Sequence, residues 1–192
     1  HFNWSSFVSI TGIKENFILL PGCASVGSYK NPEIVGHALL HPSLDDVDLL
    51  LTGSNSTVVR TSILSYFPSL EGRIICACFT DHELSVAFKQ SVAVIVPSLI
   101  EGFGLPILEV LRAGGIPLVS NARGLRESSC ESGFRFHPHN SHELVLFLQI
   151  LLDSESRAWY QSIICNRVIS RLSRLHPDLF ALHLLAQARF CS

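Results

Sequence analysis

The stretch that decides the reading of this chain is Val92–Glu127, VAVIVPSLIEGFGLPILEVLRAGGIPLVSNARGLRE. It opens on an unbroken apolar run, Val92 to Val96, closed by Pro97-Ser98. A strand buried on both faces reads this way, without the polar alternation of a half-exposed one. Glu101-Gly102-Phe103-Gly104 leads into a helical segment, Leu105 to Ala113, which Gly114-Gly115 stops, and Ile116 to Ser120 returns as a second buried strand. Glycines in the turn let the backbone approach a ligand closely, and the free N–H groups of the first helical turn favour an anion such as a diphosphate. Glu101 stands before that turn and Glu109 inside the helix, and a carboxylate at a strand–helix loop offers two acceptor oxygens to sugar hydroxyls. A Gly-x-Gly taken alone equally serves packing.

The same alternation extends in both directions. Upstream, Phe17–Leu20, Val47–Thr52 and Arg73–Phe79 read as strands. Asn31-Pro32 opens a helix running to about Leu40, with Asn as N-cap and Pro at the first helical position. Thr57 to about Phe67 reads as helix, as does Asp81 to Gln90 with Asp81 as N-cap. Downstream, Phe134–Phe136 is a last short strand, and helices follow near 141–153, 155–171 and 177–190, the first opened by a capping-box pattern at Asn140 and Glu143. Apolar strands alternating with helices predict an α/β fold, a Rossmann-like doubly wound parallel sheet of about six strands. Residues 1–16 show no sustained period and read as a linker or lead-in, leaving 17–192 as the domain. Ligands of such folds sit at the carboxyl ends of the strands, so the loops after Leu20, Phe79, Val96 and Ser120 are where chemistry is expected.

Composition sets the remaining bounds. Of 192 residues 47% are hydrophobic and 16% charged, which supplies a full core and excludes a disordered chain. Mean hydropathy is high at +0.36, yet the longest apolar runs fall short of the roughly 18–20 residues of a spanning helix. The excess predicts concentration-dependent self-association through apolar surface. A net charge of −2 gives no electrostatic footprint for nucleic acid. Six Cys without CxxC or zinc spacing predict reduced, mostly buried thiols and a cytoplasmic setting. Cys76 and Cys78 alternate along a strand and are expected in the core. His137, His139 and His142 lie on a loop into a capped helix and predict no metal site. Trp4 and Trp159 read as packing residues.

The whole string from Pro97 to Val119 resembles the C-terminal, donor-binding domain of the retaining GT-B glycosyltransferases of the GT4, or group 1, type. That family pattern is Pro-Ser, then Glu-Gly-Phe-Gly-Leu-Pro, a second Glu eight residues after the first, and a Gly-x-Pro turn into a Val-rich strand. Here these are Pro97-Ser98, Glu101 through Pro106, Glu109, and Gly115-Ile116-Pro117 before Leu118-Val119. Phe17 to Asn31 resembles the family's first strand of this domain, whose Gly turn leads to a Lys-Asn pair, here Gly22 and Lys30-Asn31. The resemblance implies the C-terminal half of a GT-B fold that transfers a sugar from a nucleotide-diphosphate sugar, UDP- or GDP-linked, to an acceptor hydroxyl. It implies no cofactor and no bound metal. Lys30 would bind the diphosphate, and Glu101 and Lys30 would carry the catalytic roles. Glu101 would take hydroxyls of the transferred sugar, Glu109 those of the ribose. Backbone N–H groups of Gly102, Phe103, Gly104 and Leu105 would hold phosphate oxygens, and Thr80-Asp81 would lie near the base. The acceptor, a glycan, lipid or small molecule, would be held by an N-terminal domain not in this sequence, without which the chain would be a poor catalyst. That longer protein would also decide any membrane association.

Two positions depart from the pattern. The family usually has Arg after the first Gly, where Cys23 stands, and often Arg before the Lys, where Tyr29 stands. Losing one of two cations at a diphosphate costs about 1–3 kcal/mol of binding. The alternative reading is therefore a catalytically degenerate glycosyltransferase-like binding or interaction domain. A non-hydrolysing epimerase of the same fold is disfavoured by the Glu-x7-Glu string.

Overall fold

A computed structural model describes residues 2–22, 24–100, 105–122 and 134–175, with side chains of the last helix described as far as Arg167. Six strands form one sheet: β1 (Phe17–Leu20), β2 (Asp48–Thr52), β3 (Ile74–Ala77), β4 (Ala93–Val96), β5 (Pro117–Ser120) and β6 (Phe134–Phe136). Their order is β3-β2-β1-β4-β5-β6, and every neighbouring pair is parallel. Parallel strands need crossovers, and seven helices are described: α1 (Trp4–Thr11), α2 (Glu33–Leu39), α3 (Ser56–Tyr66), α4 (Asp81–Gln90), α5 (Leu105–Ala113), α6 (Ser141–Leu152) and α7 (Ser154–Leu175). The expected α/β, Rossmann-like doubly wound architecture is present, with the limits of the described strands and helices within a few residues of those read from the sequence; the helix expected near 177–190 lies outside the described residues.

The period of two along each strand sorts the core into two layers. Ile18, Leu20, Leu49, Leu51 and Ile95 meet α2, α3 and α6 on one face. Phe17, Leu19, Leu50 and Val94 meet α4 and the flank of α1 on the other. Helix α5 serves both layers, through Ile107 and Leu111 in the first and Val110 in the second. Fully burying each such side chain stabilises the fold by about 1.5–3 kcal/mol. Strand β3 lies at the sheet edge, and only Ile74 of its four residues is buried.

Several local expectations are corrected. The lead-in contains a helix: Asn3 Oδ1 accepts from Ser6 N, Gly12 closes the helix in the left-handed region at φ 67°, and Trp4 stacks on Phe17 at 5.3 Å. Its Ser- and β-branched-rich sequence is a poor helix former, so tertiary packing of Trp4 and Phe7 decides its structure. The α4 N-cap is Thr80, not Asp81, in a reciprocal capping box with Glu83. Asn31 is no helix cap; its side chain bonds elsewhere, as described below. Cys78 follows the end of β3 and is exposed, Cys165 is exposed, and Cys76 is half-buried, so these thiols are not the core residues expected. At Asn140 the cap is real: Oδ1 accepts from His142 N and Glu143 N.

Two polar residues fasten the side opposite the strands' carboxyl ends. Buried Asp48 accepts from Lys14 N at 2.9 Å, joining the lead-in to β2. Arg73 donates to the carbonyls of Leu39, Leu44 and Val47, filling the turn between α2 and β2. Gly114 ends α5 with φ 79°, while Gly115 lets the chain pass Phe88: a Cβ there would stand 2.7 Å from the Phe88 carbonyl oxygen.

Candidate functional site

Strand order reverses between β1 and β4, and in an open α/β sheet the loops leaving such a pair part to opposite faces and open a crevice at the carboxyl ends. Only two residue pairs register across β1 and β4, against four across β1 and β2. The crevice there is lined by Pro21 and Gly22 after β1, Lys30 before α2, Pro97 and Ser98 after β4, and Pro106 in the first turn of α5. Gly22 takes φ 57°, the left-handed turn that directs the chain out of β1.

Of the residues singled out by sequence, Gly22 and Lys30 are therefore together, facing the first turn of α5. The Lys30 ammonium lies 5.2 Å from the Tyr29 ring centroid, within cation–π range, and that ring is exposed. Leu105 begins α5 and is exposed; Glu109 is exposed one turn further along, on the same helix face. Thr80 and Asp81 sit apart, beyond edge strand β3 and two strands from β1. Glu101, Gly102, Phe103, Gly104 and Cys23 lie outside the described residues.

Two further residues organise the crevice. Asn31 is buried in the left-handed region at φ 51°, and its Nδ2 donates to Pro97 O at 3.1 Å and Pro138 O at 2.7 Å. With Leu99 N donating to Tyr29 O at 2.7 Å, this fastens the loop after β1 to the loop after β4. Ser98 is 1% exposed; its carbonyl accepts from the Ser120 hydroxyl, and its own Oγ has no hydrogen-bond partner. Asn-Pro looks like a helix start, which hid the first role. The second had a signal only in the Pro-Ser that follows a buried strand.

Electrostatics at the neighbouring loops is local. Backbone and side-chain bonds from Thr80 hold the Glu83 carboxyl below its usual range. Burial pushes the Cys76 thiol up, against a hydrogen bond from Ser56 and the charge of Arg60. His137 N donates to Glu143 Oε2 and His139 N to His137 Nδ1, so these histidines order the loop into α6. Among the described residues no group of three or more His, Cys, Asp or Glu is gathered as metal ligands are. Nor is any described helix long and apolar enough to cross a membrane.

Residues 8–163 match the family described as "Glycosyl transferases group 1". The serotype-specific mannosyltransferase WbdA of Escherichia coli is 32% identical over 99 residues, 52% of this chain and 12% of WbdA. Among solved structures, HepE of Anabaena in complex with UDP and glucose superposes with a TM-score of 0.68 at 19% identity, over 96% of this chain and 51% of HepE. The C-terminal domain of the group 1 protein LpcC from Francisella tularensis gives a TM-score of 0.64 at 18% identity, over 88% of this chain and 93% of that domain. At these identities the structural likeness bears on the fold alone. The chain spans about an eighth of the length of WbdA and about half that of HepE.

Proposed function

The chain belongs to the glycosyl transferases group 1 family, and on that premise we propose that its crevice binds the nucleotide diphosphate of a sugar donor, UDP- or GDP-linked. The observation that carries this reading is the meeting of Gly22, Lys30 and the first turn of α5 at the strand-order reversal. A compact cation facing a helix N-terminus suits a diphosphate, because unpaired N–H groups and the macrodipole add to its charge. That the HepE structures hold UDP and UDP-glucose supports the same assignment.

In this reading the sugar passes to an acceptor hydroxyl with its anomeric configuration retained. Lys30 and the helix-terminal N–H groups stabilise the charge that grows on the departing diphosphate, an electrostatic contribution that is preorganised by the fold. Glu101 takes the hydroxyls of the transferred sugar and Glu109 those of the ribose. Gly102 to Leu105 supply phosphate-binding N–H groups, and the Thr80-Asp81 loop approaches the base. The acceptor is bound by the remainder of a longer, cytoplasmic enzyme. A binding domain without catalysis is the second reading. It is favoured by Tyr29, an exposed ring directly before Lys30 in the chain, at the position where the family often has a second cation.

Calorimetric titration of the chain with UDP, GDP and ADP tests the proposal. Binding of one nucleotide, weakened by both Lys30→Ala and Glu109→Ala, is the expected result. A folded chain that binds none of the three, and still none with Cys23→Arg, counts against a donor site.

A further inference from the structure

Among the described residues that line the crevice, Ser98 carries a buried side-chain hydroxyl without a hydrogen-bond partner. Ser98 is 1% exposed and lines the crevice together with Gly22, Lys30 and Pro106. Its backbone is fixed from both sides: the Ser120 hydroxyl donates to its carbonyl, and Asn31 Nδ2 donates to the carbonyl of Pro97 just before it. Its Oγ nevertheless makes no hydrogen bond. A buried hydroxyl without a partner destabilises a fold, so natural structures retain one chiefly where something else completes it. Alanine would fill the same position without that cost.

Because Ser98 shares the crevice lining with Lys30 and with Pro106 of the first turn of α5, the geometry points to an anionic oxygen as its partner. We infer that Ser98 is a donor-binding residue, its Oγ donating to an oxygen of the bound diphosphate. The inference rests on the donor-site reading above and adds a contact to it. It also gives the unliganded and liganded chains opposite responses to one substitution. Removing the hydroxyl relieves an unpaired polar group in the free chain and deletes a charge-assisted bond in the complex.

The test is calorimetric titration with UDP and GDP of the chain carrying Ser98→Ala, beside the unaltered chain and Lys30→Ala, with thermal melts of each free protein. A hydrogen bond to a charged oxygen sets the expected weakening at about tenfold or more for Ser98→Ala. The free variant is expected to melt no lower than the unaltered chain. Unchanged affinity in Ser98→Ala where Lys30→Ala weakens binding overturns the Ser98 contact and leaves the donor site standing. A lower melting temperature for Ser98→Ala also overturns it, since the hydroxyl then has a structural partner. If neither the unaltered chain nor its Cys23→Arg variant binds either nucleotide, the donor-site reading fails and the contact with it.

Discussion

Replacing Asn31 by Gly, Ala and Asp separates what its side chain does from what its backbone does. The side chain donates two bonds, to Pro97 O and Pro138 O, and the backbone sits at φ 51°. Gly keeps the backbone at no steric cost and loses both bonds, which at about 0.5–1.5 kcal/mol each predicts a loss of about 1–3 kcal/mol. Ala loses the same bonds and adds the left-handed penalty of about 1–2 kcal/mol, for a total of about 2–5 kcal/mol. Asp matches the shape but, when ionised, points acceptors at two carbonyl oxygens and donates nothing. Its carboxyl is then harder to ionise in the folded than in the unfolded chain, so the deficit of Asn31→Asp against the parent should shrink as pH falls below about 5. Urea denaturation of the four proteins at pH 7, repeated for parent and Asp at pH 4.5, measures all of this. Equal stability of Ala and Gly would remove the backbone argument. An Asp variant as stable as the parent at pH 7 would refute the two-bond tie itself.

Arg73→Lys should destabilise the fold by about 2–4 kcal/mol in the same denaturation assay, because one ammonium cannot span the Leu39, Leu44 and Val47 carbonyls that the planar guanidinium reaches together. Gly115→Ala should cost about 1–3 kcal/mol by driving a Cβ against the Phe88 carbonyl, whereas a parent-like melting temperature would show that the α4–α5 contact yields freely. Glu83 is held below its usual range by Thr80, so its contribution is present at neutral pH and is lost as pH falls through the folded value. Glu83→Gln should therefore flatten part of the acid limb of the stability profile below about pH 4.5, read by melts across pH 3–7.

What the sequence made legible follows from where burial is complete. The runs at Leu49–Leu51 and Val92–Val96 are buried on both faces, as short apolar runs bounded by turn residues lead one to expect of central parallel strands. Helix α5 was equally plain, bounded by Gly104 and by Gly114-Gly115. Residues whose role depends on distant partners were not. Trp4–Thr11 is helical because aromatic rings from β1 and the loop after β3 receive it, a fact absent from its own eight residues. Asn31 carries the letters of a helix cap, yet its bonds reach residues 66 and 107 positions away. For Thr80 the signal is in the sequence, since Thr80 and Glu83 have capping-box spacing, but Asp81 beside it is an equally good cap by residue type. Cys78 has the alternation of a core strand position in the sequence, but β3 ends at Ala77 and leaves it outside the sheet. At the crevice, Gly22 and Lys30 are legible through the resemblance of Phe17–Asn31 to the family pattern. Ser98 needed coordinates, because an unanswered hydroxyl is a property of surroundings.

The reversal of strand order also divides the molecule into two equal lobes of three strands, β3-β2-β1 and β4-β5-β6, with the crevice on their common border. Each lobe is continuous in the chain, and the turn at Ser91-Val92 is the covalent bridge between them. Lys30 and Gly22 are owned by the first lobe, Ser98 and Pro106 by the second. A chain cut at that bridge and co-expressed as two pieces would therefore possess the crevice only while the pieces stay docked, making ligand capture a reporter of their reunion.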